Sequence, residues 1–137
     1  MPNVVPHLKL TQEGARRILD AAIAKAQAMG VPQCIAIVDD GGHLLAFTRM
    51  DGAKVLSIDS SLRKAMTAAS SRVPTGNMSA GLDLKLGLAT QGKLVNLKGG
   101  VPIVVDGHVV GGIGVGSGTG EQDLECAEAG LAALTRS

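Results

Sequence analysis

The apolar positions of this chain follow two different periods. From Thr11 onward, Ala15, Ile18, Leu19, Ala22, Ile23, Ala26 and Met29 recur every three or four residues, which places them along one side of an α-helix. Thr11 supplies an N-cap hydroxyl, and Gly30 with Pro32 just beyond stops the helix. Two short runs then flank Asp39-Asp40-Gly41-Gly42, whose glycines permit the positive φ of a tight turn, so "QCIAIVDDGGHLLAFTR" predicts a β-hairpin. Helical spacing returns in Val55, Ile58, Leu62, Ala65 and Ala69, predicting a second helix between Lys54 and Ser71 that ends before Pro74. Residues 77–90 carry a weaker helical pattern diluted by Gly81 and Gly87. A strand over Lys93 to Leu97 is expected ahead of a second hairpin that turns at Asp106-Gly107. Thr119 and Gln122 have the spacing of a capping box, opening a last helix with Leu124, Ala127, Leu131 and Leu134 as its buried stripe.

Strands joined by tight turns pair antiparallel. The predicted order therefore describes an α/β chain of the α+β kind, one antiparallel sheet with helices on its faces, in a single domain spanning residues 1–137. Within the second hairpin, Ile113 and Val115 point to one face, while Gly112, Gly114 and Gly116 leave the other without side chains. Glycine weakens a strand, so a bald line of it marks a close neighbour: a helix, another subunit or a flat ligand.

A nucleotide cradle is not the explanation. A G-x-G-x-x-G fingerprint would need glycine where Ser117, Thr119, Glu121 or Asp123 stands, and Gly92-Lys93 is followed by Leu94 instead of the Ser or Thr of a P-loop. The formal net charge of +1 is scattered, and Phe47 is the one aromatic residue, which argues against a nucleic-acid partner. The N-terminal "MPNVVPHLKLTQEG" holds two prolines and no long apolar run, so neither a secretory signal nor a membrane span is expected and the cytoplasm is the expected compartment. Cys34 and Cys126 lie far apart in apolar patterns and read as buried free thiols.

Three ordered stretches, "RMDGAKVLSIDSSLRKAMTA", "GGVPIVVDGHVVGGIGV" and "EQDLECAEAG", resemble the GlcG/HbpS-like family, also called the haem-degrading domain family. The resemblance implies a profilin-like fold with a five-stranded antiparallel sheet between helices. It further implies assembly into homo-oligomers from dimer to octamer, haem as ligand or cofactor, and an accessory role beside catabolic operons. Among the residues that match its motifs are Arg49, Asp51, Lys64, Gly99, Gly100, Pro102, Gly114 and Asp123. The family often reads G-V-S-G-G, whereas Gly114-Val115 is followed here by Gly116-Ser117-Gly118, displacing a hydroxyl by one residue.

A small-molecule site is accordingly expected around Arg49, Asp51, Lys64, Gly99, Gly100, Pro102, Gly114, Gly116 and Ser117. There Arg49 would grip a carboxylate or propionate bidentately and Lys64 would act as a point charge; a solvated Lys64 beside an Arg49–Asp51 surface pair is the bland alternative. If the protein is an enzyme, Lys64 and Arg49 would hold an oxyanion while Asp51 or Asp123 moved a proton. A structural or chaperone-like ring is a third reading. His7, His43 and His108 are the histidines available to a haem iron, and their spacing selects none of them and forms no protein-built metal site.

Overall fold

The structure, a computed structural model, describes residues 2–134. Its elements are α1 (Gln12–Met29), β1 (Cys34–Asp39), β2 (Leu44–Arg49), α2 (Ser57–Ser71), α3 (Leu82–Ala89), β3 (Gly100–Val105), β4 (His108–Gly116) and α4 (Gly120–Leu134). The strands form one antiparallel sheet in the order β2-β1-β4-β3. Its centre is the β1–β4 pairing, running from Cys34↔Gly116 to Asp39↔Gly111, so both hairpin turns lie at the same end of the sheet.

The helix ends obey local chemistry. Gly14 N–H donates to Thr11 Oγ1 at 3.0 Å, and Gly30 closes α1 in the left-handed region at φ 70°. At α4 the capping box is reciprocal: Thr119 N–H donates to Gln122 Oε1 at 2.9 Å and Gln122 N–H to Thr119 Oγ1 at 3.2 Å.

Three expectations are corrected: α2 begins at Ser57, so Val55 lies ahead of it and is 60% exposed, and Ile58 and Leu62 are only partly buried while Ser57, Ser61, Lys64 and Ala68 join Ala65 and Ala69 on the buried face. Among the described residues the sheet has four strands, not five, because Lys93 to Leu97 is irregular. Side chains meet its backbone where a strand ladder would have done so. Leu94 N–H donates to Thr90 Oγ1 and Val95 N–H to Thr67 Oγ1, each at 3.0 Å, while the Asn96 side chain bonds both main-chain groups of Met78. The buried stripe of α4 also differs, consisting of Asp123, Cys126, Ala127 and Gly130, with the leucines only partly buried. A side chain at Gly130 would press on the Ile18 carbonyl oxygen and Ala22, so small residues are what let α4 lie against α1.

Three layers result. On one face of the sheet Ile35, Ile37, Ile113 and Val115 pack with Ile18, Ala22 and Ala26 of α1 and with Cys126 and Ala127 of α4. On the other, Ala36 and Val38 pack with Ala65 and Ala69 of α2. The neighbour of the bald glycine line is α2. A Cβ on Gly114 would overlap the Ser61 carbonyl oxygen and stand 2.5 Å from Ala65 N, one on Gly112 would overlap the Ala65 carbonyl oxygen, and one on Gly116 would meet Ser60 and Ser57. The match is metrical, since four helix residues rise about 6 Å and two strand residues about 6.6 Å. Ser57, Ser61 and Ala65 therefore keep step with Gly116, Gly114 and Gly112.

This packing makes a direct prediction. Gly114→Val should cost at least about 3 kcal/mol, more than the entropic gain of losing a glycine, measured by urea unfolding with an unchanged m-value as control. A loss below about 0.5 kcal/mol would contradict the helix-on-glycine contact.

Candidate functional site

Seating α2 on β4 determines where Lys64 goes. Its Nζ donates to the Val115 carbonyl oxygen at 2.7 Å and to Asp123 Oδ2 at 3.0 Å, with both side chains about 5% exposed (6% and 4%). Asp123 Oδ1 accepts from Gly118 N–H at 3.0 Å, so the carboxylate also holds the turn before α4. Gly99, at φ 125°, completes the knot: a Cβ there would stand 2.7 Å from Val115 O and 3.0 Å from Lys64 Nζ. At Gly100 a Cβ would press on the Lys64 carbonyl oxygen and on Thr75, whose Oγ1 accepts Gly100 N–H at 2.9 Å and also contacts the Leu97 carbonyl oxygen.

Five of the expected site residues, Lys64, Gly99, Gly100, Gly114 and Asp123, thus come together, but as a buried tie between α2, β4, α4 and the start of β3. Buried Pro102 pairs with Gly112 in the sheet, and Ser117 Oγ accepts Lys54 N–H at 2.9 Å. Gly116 lies under α2. Arg49 and Asp51 are exposed at the end of β2, an edge strand, and Lys64 is buried away from solvent, so the expected pairing of the two cations on one ligand does not form here. The pattern failed to flag Gln33, which is fully buried with both amide atoms unpaired, an arrangement that native interiors reserve for special places.

The opposite end of the sheet holds a cleft of about 690 Å³, within the range of small-molecule sites. Its walls are the two hairpin turns, the C-terminal half of α2 from Met66 with its cap Arg72, the chain at Thr90, Lys93 and Leu94, and His7 with Leu8. Thus two of the three candidate histidines, His7 and His108, share one cavity although 100 residues separate them in the chain. His7 Nε2 lies 2.8 Å from Asp40 Oδ2. Among the described residues the imidazole of His108 and the cations of Arg72 and Lys93 have no hydrogen-bonded or ionic partner.

His43 stays outside the cleft lining, with its Nδ1 3.2 Å from Asp39 Oδ1. Burial pushes the Asp39 carboxyl up, but the N–H groups of His43 and Gly41, each at 2.9 Å, outweigh it and hold it below the usual carboxylate range. The two thiols are unreactive by position: burial raises Cys34, and burial followed by the nearby Asp123 charge pushes Cys126 up to about 12. Sequence reasoning missed Met66, Arg72 and Lys93 as cleft residues. One signal was present for Arg72, a cation directly after a helix end, where it takes up φ 64°.

Comparison with known proteins places this architecture. A family profile described as "Haem degrading protein HbpS-like" matches residues 10–132. The chain belongs to the HbpS-like family. An uncharacterized 15.0 kDa protein of the dhaT-dhaS intergenic region of Citrobacter freundii is 38% identical over 127 residues, covering 89% of each chain. The solved structure of Klebsiella pneumoniae protein ORFY superposes with a TM-score of 0.92 at 30% identity, covering 100% of this chain and 99% of that one. A structure described as a PduOC:haem complex superposes at 0.84 and 30% identity, covering 92% and 95%. The HbpS-like match takes in both hairpins, α2, most of α4 and the Lys64–Asp123 tie, and begins after His7.

The tie behaves as a buried ion pair, whose worth appears only when one partner is lost. Lys64→Met or Asp123→Leu alone should each cost about 3–5 kcal/mol, and the double replacement should recover most of that loss. Urea unfolding of the four proteins measures it; additive losses would show that the two side chains act independently.

Proposed function

We propose that this protein binds haem in the cleft, as a cytoplasmic accessory protein of a catabolic pathway. The observation that carries the reading is the chemistry of the cleft wall. The unpartnered imidazole of His108, the thioether of Met66 and apolar Leu94 stand with two unpartnered cations, Arg72 and Lys93. A flat apolar ring carrying an axially ligated metal and anionic edge groups needs that set of partners. His108 would serve as axial donor, and Arg72, a planar fork, together with Lys93 would receive the propionates. When bound, haem would supply a redox-active iron that also takes up small gaseous or peroxidic ligands. The PduOC:haem complex among the structural relatives and the intergenic position of the Citrobacter relative support the ligand and the pathway context. No helix among the described residues is long and apolar enough to cross a membrane. An enzyme built on Arg49 and Lys64 has less support, since the Lys64 ammonium is already committed to Val115 O and Asp123.

We also infer a homo-oligomer, from dimer to octamer, with α3 at the contact between copies. None of the side chains in α3 is buried, and Leu84 and Leu88, one turn apart, are 72% and 82% exposed. Asp83 instead turns inward, accepting from Asn96 Nδ2 at 3.2 Å. Leucines of this helix face solvent, and eight residues are too few to persist in water without tertiary support.

Titrating the protein with haemin should give a saturable Soret shift. His108→Ala should change the ligation spectrum and weaken binding, and Arg72→Ala and Lys93→Ala should each weaken it by about tenfold, while His43→Ala leaves it unchanged. Absence of saturable binding, or an unaltered His108→Ala spectrum, would remove haem from this cleft. For the assembly, light scattering should find the wild type dimeric or larger and Leu84→Glu/Leu88→Glu smaller, with helical content preserved; a monomeric wild type would refute the contact.

A further inference from the structure

The segment ahead of α1 is held unlike the rest of the chain. Residues 2–9 are exposed and belong to no helix or strand, while Leu10, 6% exposed, is packed in the core and Thr11 caps the helix. The fixed end is therefore at Lys9-Leu10. Val4 and Val5 are 83% and 71% exposed, so packing does not retain that part of the segment, and Leu8 at 41% is only partly covered. Among the described residues its one polar attachment is His7 Nε2 to Asp40 Oδ2 at 2.8 Å, on the β1–β2 turn. That attachment makes His7 and Leu8 a wall of the cleft. Pro6 fixes its own φ and confines Val5 to extended backbone, which limits the ways this part of the segment can fold back on itself. A contact whose histidine is 62% exposed to competing water is weak, which suits a catch that must open.

We propose that residues 2–9 are a strap over the cleft, hinged at Lys9-Leu10 and latched by His7–Asp40, and that a ligand enters the cleft when the latch opens. The inference rests on the reading of the cleft as a haem site for its ligand, though not for the latch itself. It assigns His7 to gating and leaves iron ligation to His108.

Two measurements on the full chain separate the parts. In ligand-free protein, ¹H–¹⁵N heteronuclear NOEs at Val4, Val5 and Leu8 read strap motion directly. Asp40→Asn should lower them towards free-chain values, and the charge-swapped His7→Glu/Asp40→Lys should restore them. Stopped-flow mixing with haemin should give association and dissociation rates several-fold faster in Asp40→Asn and near wild type in the swapped pair. Unchanged NOEs in Asp40→Asn overturn the latch; lowered NOEs with a wild-type association rate overturn the gate. Should Asp40→Asn fail to fold, removal of residues 2–7 carries the same expectations for the haemin rates. A wild type that takes up no haemin overturns the haem reading alone, and the strap then stands or falls on the NOEs.

Discussion

The contact between α2 and the glycine line of β4 is the constraint on which the other features depend. Backbone meets backbone there, because neither partner offers a side chain larger than serine or alanine at the crossing. Close approach of this kind gives a helix little freedom to slide or roll, since any shift drives a carbonyl oxygen into a strand Cα. It also leaves the β4 glycines with no alternative, as the smallest side chain would overlap the helix backbone. The entropic cost of several glycines in one central strand is offset by the depth to which α2 then sinks.

Two consequences follow from that depth. Midway along α2, the four-carbon stem of Lys64 is short enough a reach to cross to Val115 O and Asp123, tying the layers on the two faces of the sheet through a charge. Further on, the same helix with its cap brings Met66 and Arg72 to the hairpin turns and so raises one wall of the cleft. The charged residues in the matching motifs therefore do different work from the charged residues around the cavity. Lys64 and Asp123 neutralise each other within the protein, while Arg72 and Lys93 are left to face whatever enters.

The surface shows the same division. Where the chain leaves α2 and returns at β3 it forms an excursion whose hydrogen bonds are satisfied by Thr67, Asn96 and Asp83. With Asp83 bonded to Asn96, α3 leaves Leu84 and Leu88 exposed, which fits a contact with another copy better than a solvated surface. The N-terminal segment is likewise exposed and lightly attached.

The sequence by itself determined α1, both hairpins, α2 and the α4 cap, because each is governed by contacts within a few residues: Thr11 with Gly14, Thr119 with Gln122, the glycine turns, the apolar periods. It also determined that Gly112, Gly114 and Gly116 need a close neighbour, since alternation along a strand is local geometry. Only the tertiary structure decided that the neighbour is α2, that Lys64 and Asp123, 59 residues apart, spend their charges on each other, and that His7 and His108 share a cavity. It also decided against a fifth strand, because Lys93 to Leu97 found its hydrogen bonds in side chains such as Thr67 that are distant in the chain. The physical reason is the same throughout: periodicity and capping are set by neighbours along the chain, whereas partner choice for a charge, an unpaired backbone group or a bare surface depends on which distant residue the packing brings within about 3 Å.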